Sequence, residues 1–170
     1  MSEILHAWAL APAAIGTCCL AADRRRVRAP ELVASLLMLV AMLDAALAHL
    51  VPPVYWAASL LASGMALAAW RSRTRRRIPG LPHSGTLHAT LGLVVMGALL
   101  VAMGHAPTPT GAHEHGPSAA AVTALVLAGA LAHAVGSAVV ATRARGLLNR
   151  AQYALMGAST AAMGIAVVLT

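Results

Sequence analysis

The chain has 170 residues, 59% of them hydrophobic and 10% charged, with a mean hydropathy of +0.77. A soluble domain carries about 25% charged residues, so this composition excludes an ordinary soluble globule and reads as one all-α bundle of membrane spans. The formal charge of +7 comes from twelve arginines in three short clusters, with no lysine, no phenylalanine and no interleaved aromatic residues, which excludes a nucleic-acid-binding surface.

Residues 4–22 form the first apolar run. Glu3 precedes it, and Arg24, Arg25, Arg26 and Arg28 follow it. A signal peptide carries its positive charge in front, so this run reads as a retained helix. The second run, 32–51, has Pro30 and Glu31 at its start and is broken by Pro52 and Pro53. The third, 54–70, has Tyr55 and Trp56 at one edge and Trp70 at the other, the positions aromatic rings take at membrane interfaces. Residues 71–77 (RSRTRRR) read as a basic loop, and 78–85, with two prolines and two glycines, as an irregular connection.

The fourth run, 87–105, passes nineteen residues without a fixed charge. As a helix it is about 28 Å long, close to the thickness of a bilayer's hydrocarbon core. A loop over 106–118 follows, with three prolines, two glycines and the triplet His113-Glu114-His115. The fifth run is 119–142 and the sixth 151–169, with Arg143, Arg145 and Arg150 around the turn between them. The expected architecture is one domain of six transmembrane helices. The connections after runs one, three and five hold four, five and three arginines, and the other connections and both tails hold none. Positive-inside then places both termini outside the cytoplasm. Arginine without lysine, in a chain rich in Ala, Gly and Leu, points to a high-GC bacterial source and to the plasma membrane.

Polar groups inside a bilayer are costly and mark candidate sites. Asp44 lies about 20 Å into the second helix, with no arginine or lysine in any span to pair with it. Its partners are expected from other helices or water, with the carboxyl either neutral or facing a histidine or cation. If it is neutral, asparagine should be tolerated there. His133 lies about 14 Å from the inner end of the fifth helix, flanked on its own face by Gly129 and Gly136, so it should point into the bundle where another helix approaches closely.

Methionines recur at helical spacing. Met38, Met42 and His49 fall within a stripe of about 40°, with Asp44 on roughly the opposite side; Met96 and Met103 share a face, as do Met156 and Met163. Such residues pack any apolar core, and thioether with imidazole also suits soft Cu(I). His6, His49, His105, His113 and His115 all map to the outer end, where an HxH pair on a loop could capture Cu(II) or Zn, while His83 and His88 map to the inner end. The candidate metal set is therefore His49, His105, His113, His115, Met42, Met96 and Met103, with copper as the candidate cofactor. Bis-histidine haem needs two histidines at equal depth on different helices, and His49 with His105 meets that condition. Cys18 and Cys19 are adjacent and form no metal or redox spacing. There is no GxxxxGK[ST] and no HExxH, and neither Ser137 nor Ser159 has an activating base, so no enzyme site is read.

The order ELVASLLMLVAMLDAALAH, LHATLGLVVMGALLVAMGHA, GAHEHG and ALMGASTAAMGIAVVL resembles a group of small, uncharacterised Met/His-rich actinobacterial membrane proteins classed as a domain of unknown function. The likeness covers most of the chain, and that group supplies no activity to carry over. In composition the chain also looks like bacterial copper-handling multi-pass proteins. Two classes of function follow: binding or transport of a soft metal, or a non-catalytic accessory subunit that partners other membrane subunits or a second copy of itself.

Overall fold

A computed structural model describes residues 2–23, 29–77, 84–104 and 119–169. Among them there is no strand. Six α-helices run α1 (Ser2–Ala22), α2 (Ala29–Leu43), α3 (Pro53–Arg77), α4 (Ser84–Gly104), α5 (Ala119–Arg143) and α6 (Leu147–Leu169), and a π-helical turn (Asp44–Ala48) prolongs α2. Five of these segments are long and apolar enough to cross a membrane; the apolar part of α1 described in full, Trp8–Ala22, is shorter.

The helices alternate in direction. The starts of α2 and α4 meet at one end, where Thr86 donates a 2.8 Å hydrogen bond to Glu31. This end also carries Arg71, Arg143 and Arg150 and is called the arginine end below. The opposite end holds the Pro52–Pro53 hairpin. The largest helix contacts are α1 with α6, α3 with α4, and α5 with α6. Because α4 also touches α2, α5 and α6, it is the central post, and α3 packs against its outer side. The core runs along these contacts through Met38, Met42, Leu60, Leu93, Met96, Leu99, Leu100 and Met163.

Small residues set the closest approaches. A Cβ on Gly157 of α6 would lie 2.7 Å from Ser137 Cβ and 3.2 Å from the Ala134 carbonyl of α5, closer than atoms tolerate. The expected close approach at Gly129 and Gly136 is not where the helices meet, since a Cβ at either would find nothing within 4 Å. Ser137, about a quarter turn around α5 from both glycines, makes that contact instead, with its hydroxyl bonded back to the His133 carbonyl at 2.7 Å.

Two boundaries depart from the sequence reading. Residues 71–77 are the last turns of α3 rather than a loop. Arginine is a good helix former, and long side chains carry their charge away from the apolar part of the helix. The second helix ends four residues before Pro52, at the π turn, where His49 takes a left-handed conformation (φ 50°, ψ 32°) and its N–H bonds the Asp44 carbonyl at 2.7 Å. At the other turn Gly146 supplies a φ of +93°, and Arg150 Nε donates to the Ala144 carbonyl at 2.9 Å, satisfying a group at the end of α5.

Candidate functional site

The interior holds two adjoining cavities, each of about 10 Å³. That is room for about one water molecule or one ion each. The first is lined by Met38 and Met42 of α2, Met96 of α4, His133 of α5 and Met156 of α6, with the hydroxyls of Thr17, Ser35, Ser159 and Thr160 around them. The second lies nearer the arginine end and is lined by Glu31, Ser35, His88, His133, Gln152 and Met156, among others. Ser35, Met38, Gly92, His133 and Met156 line both, so the two form one continuous tract.

Heptad and i+4 spacing explains the first cavity. Met38 and Met42 lie one turn apart on the buried face of α2, and Met96 faces them from α4. Gly92 of α4 keeps the space open: a Cβ there would stand 3.5 Å from both Met38 Sδ and His133 Nε2. A thioether and an imidazole nitrogen therefore approach one point from two different helices. Ser159 Oγ donates to the Ala9 carbonyl at 2.8 Å and lies 3.8 Å from Met42 Sδ, which ties α6, α1 and α2 together.

His133 is 8% exposed and faces the interior, as expected from its position. Its ring stacks on that of His88, with centroids 4.6 Å apart and planes 21° from parallel. Tyr153 meets His88 edge-on at 4.8 Å. The sequence reading placed His88 merely at the inner end and missed this pair. The available signal was depth: His88 is about one turn into α4 and Tyr153 about two turns into α6 from the same end. The two rings do lie at equal depth on different helices, but stacked rings leave no gap for a porphyrin between them. His88 Nε2 is buried and has no hydrogen-bond partner.

Asp44 is placed differently. It is 7% exposed and does not line the methionine cavity, in keeping with its position off the Met38–Met42 stripe. Its Oδ1 accepts from the Leu50 N–H at 3.0 Å, and its Oδ2 from the Val51 N–H at 3.1 Å and Trp56 Nε1 at 2.7 Å. Two of these donors come from the turn that follows its own helix, not from other helices or water. Both oxygens act as acceptors, the pattern of an ionised carboxylate rather than a neutral acid. Trp56 accordingly turns inward against the core instead of lying in an interfacial belt.

The proposed metal set is thus divided. Met42 and Met96 come together in the cavity, joined by Met38 and Met156. Met103 packs against the same core without lining the cavity. His49 is exposed at the hairpin, because the wider π turn ends the Met38–Met42 stripe before reaching it. His105, His113 and His115 lie outside the described residues. Among the described residues, no three His, Cys, Asp or Glu side chains come close enough to hold a metal ion. Cys18 and Cys19 are free, and Cys18 is exposed. No family model, curated protein or solved structure matches the chain.

Proposed function

We propose that this is a bacterial plasma-membrane protein that binds or transports a soft metal ion, most simply Cu(I), through its interior methionines. The observation that supports this reading is the convergence of four thioethers, Met38, Met42, Met96 and Met156, with the His133 imidazole on one cavity the size of a single ion. Neutral sulfur and nitrogen donors suit Cu(I), which needs no carboxylate and tolerates a low coordination number. Three of the surrounding hydroxyls, Thr17, Ser159 and Thr160, donate their protons to backbone carbonyls.

In this reading all six helices span the bilayer. The arginine end faces the cytoplasm, and the hairpin end, with both termini, faces outside. Metal enters from the outer face, captured by His113 and His115 with His49 and His105, and is retained by Met42 and Met96, with Met103 also contributing. The test is metal analysis of the purified, detergent-solubilised chain after exposure to copper under reducing conditions. About one retained copper per chain is expected. His113→Ala with His115→Ala should weaken Cu(II) or Zn capture at the surface and leave helix content unchanged, because a polar loop contributes little to packing. Absence of retained copper would turn the reading to the accessory subunit, a bundle whose exposed faces meet other membrane proteins.

A further inference from the structure

The arginine end carries a feature that the metal reading does not use. α3 has 25 residues and is about 37 Å long, whereas a bilayer's hydrocarbon core is about 30 Å thick. The apolar part of α3 ends at Trp70, and residues 71–77 continue as helix for about two more turns. Those turns reach the depth of lipid headgroups. We propose that they form a binding site for anionic phospholipid, with the Arg71 guanidinium on the headgroup phosphate. The site rests on α3 crossing a bilayer, as in the function proposed above, and not on the metal or on which end faces the cytoplasm.

Four observations carry this. Residues 71–77 hold five arginines and no acidic residue. Basic clusters just beyond a span attract lipids with a net negative charge. Second, Arg71 Nε is buried with no hydrogen-bond partner among the described residues, and such atoms are normally paired. A guanidinium binds a phosphate through two parallel N–H groups, so a headgroup phosphate supplies the acceptor that the protein does not. Arg71 as a whole is only half-buried, so a ligand can reach it. Third, the hydroxyls of this stretch are occupied: Ser72 Oγ donates to the Ala69 carbonyl at 2.8 Å and Thr74 Oγ1 to the Trp70 carbonyl at 2.9 Å. The arginines are the side-chain donors left for a ligand. Fourth, α3 is peripheral and packs mainly against α4. Its Trp70 is 43% exposed, at the depth where indole rings sit against headgroups.

Arg150, at the same end of the bundle, is different: its Nε donates to the Ala144 carbonyl at 2.9 Å. Asp23 at the end of α1 and Glu31 at the start of α2 are acids of this end, and Glu31 Oε1 already accepts from Thr86. Arginines near a helix C-terminus also offset the helix dipole. That role asks only for positive charge, which lysine supplies equally well. A phosphate held by Nε and its neighbouring N–H asks for the guanidinium itself, and this difference separates the two roles by experiment.

The test is electron paramagnetic resonance of the full chain in phosphatidylcholine vesicles containing a trace of spin-labelled phosphatidylglycerol or spin-labelled phosphatidylcholine. The spectrum separates lipid held at the protein surface from free lipid. The native chain should prefer phosphatidylglycerol. Arg71→Gln should weaken that preference about fivefold, the contribution of one arginine at the headgroups. Arg71→Lys, which keeps the charge and loses the fork, should fall between the two. Arg150→Gln removes the same charge from a satisfied position and should change the preference less than Arg71→Gln does. Glutamine is a good helix former, so α3 should persist in the Arg71 variant. Inorganic phosphate at constant ionic strength should leave the labelled lipid in place. Equal effects of Arg71→Gln and Arg150→Gln would overturn the proposal. So would full rescue by Arg71→Lys, displacement by free phosphate, or no preference in the native chain. If no lipid of either kind were held at the surface, the bilayer reading would fall and this site with it.

Discussion

Asp44 and His88 are both polar, both enclosed by helices, and opposite in how they are satisfied. Asp44 has three N–H donors on its two oxygens and closes the α2–α3 hairpin. His88 has a ring packed between His133 and Tyr153, and a nitrogen with no partner. A buried polar group with every bond made is part of the scaffold. One left incomplete beside a cavity is where a small ligand, water or proton fits. The two sites lie towards opposite ends of α2: the hairpin end holds the fully bonded carboxylate, and the arginine end holds the incomplete histidine beside a cavity.

The largest effect should come from breaking the satisfied site. Asp44→Leu leaves three donors without an acceptor and should lower the thermal midpoint by several degrees, more than any other variant described here. Asp44→Asn should also be clearly destabilising, because its amide NH₂ must face a donor on one side or the other. This reverses the tolerance expected for a neutral acid. Trp56→Phe, which removes only one of the three donors, should cost less than either. Equal midpoints for Asp44→Asn and the native chain would mean that the carboxyl is neutral after all.

Next in size is the α5–α6 seam. Gly157→Ala places a methyl against Ser137 and the Ala134 carbonyl and should cost about 1–3 kcal/mol in denaturant unfolding. Gly136→Ala on the open face of α5 should instead be neutral, or stabilise by up to about 1 kcal/mol, because alanine is the better helix former. The reverse order would mean that the open face is the packed one.

The smallest stability effect should be at the unsatisfied site. His88→Phe keeps a flat ring between His133 and Tyr153 and removes the unpaired nitrogen. Its unfolding free energy should stay within about 1 kcal/mol of the native value. A loss as large as that of Asp44→Leu would show that His88 is scaffold too and would erase the contrast.

The helices were legible because six apolar runs separated by arginines, prolines or glycines leave few alternatives. The separation of Asp44 from the methionine face was legible from helical spacing; His133 does face the interior, but the glycine seam from which that was expected is not where α5 packs. What escaped was decided by partners distant in sequence or by irregular turns. His88 looked like an edge residue because it follows a Pro/Gly-rich stretch, yet α4 is the central post, and even its first turn is enclosed. The donors to Asp44 arise from a π turn and a left-handed histidine, neither of which has a periodic signature. Gly129 and Gly136 suggested a seam by composition, but which glycine meets a neighbour depends on helix rotation, and that falls to Gly157. Met38 and Met156 were visible as parts of stripes. Their meeting with Met42, Met96 and His133 required three helices to be placed against α2.

The proposed function puts retention of the ion on methionine sulfur in the interior tract, apart from the Asp44–Trp56 contact at the hairpin. The most direct measurement is Cu(I) affinity by competition with a chromogenic chelator, comparing the native chain, Met42→Leu with Met96→Leu, and Trp56→Phe. Leucine conserves volume, so the methionine variant should stay folded. The methionine variant should lose at least about tenfold in Cu(I) affinity, or about 1.4 kcal/mol, while Trp56→Phe should bind as the native chain does. Unchanged Cu(I) affinity in the folded methionine variant would contradict it.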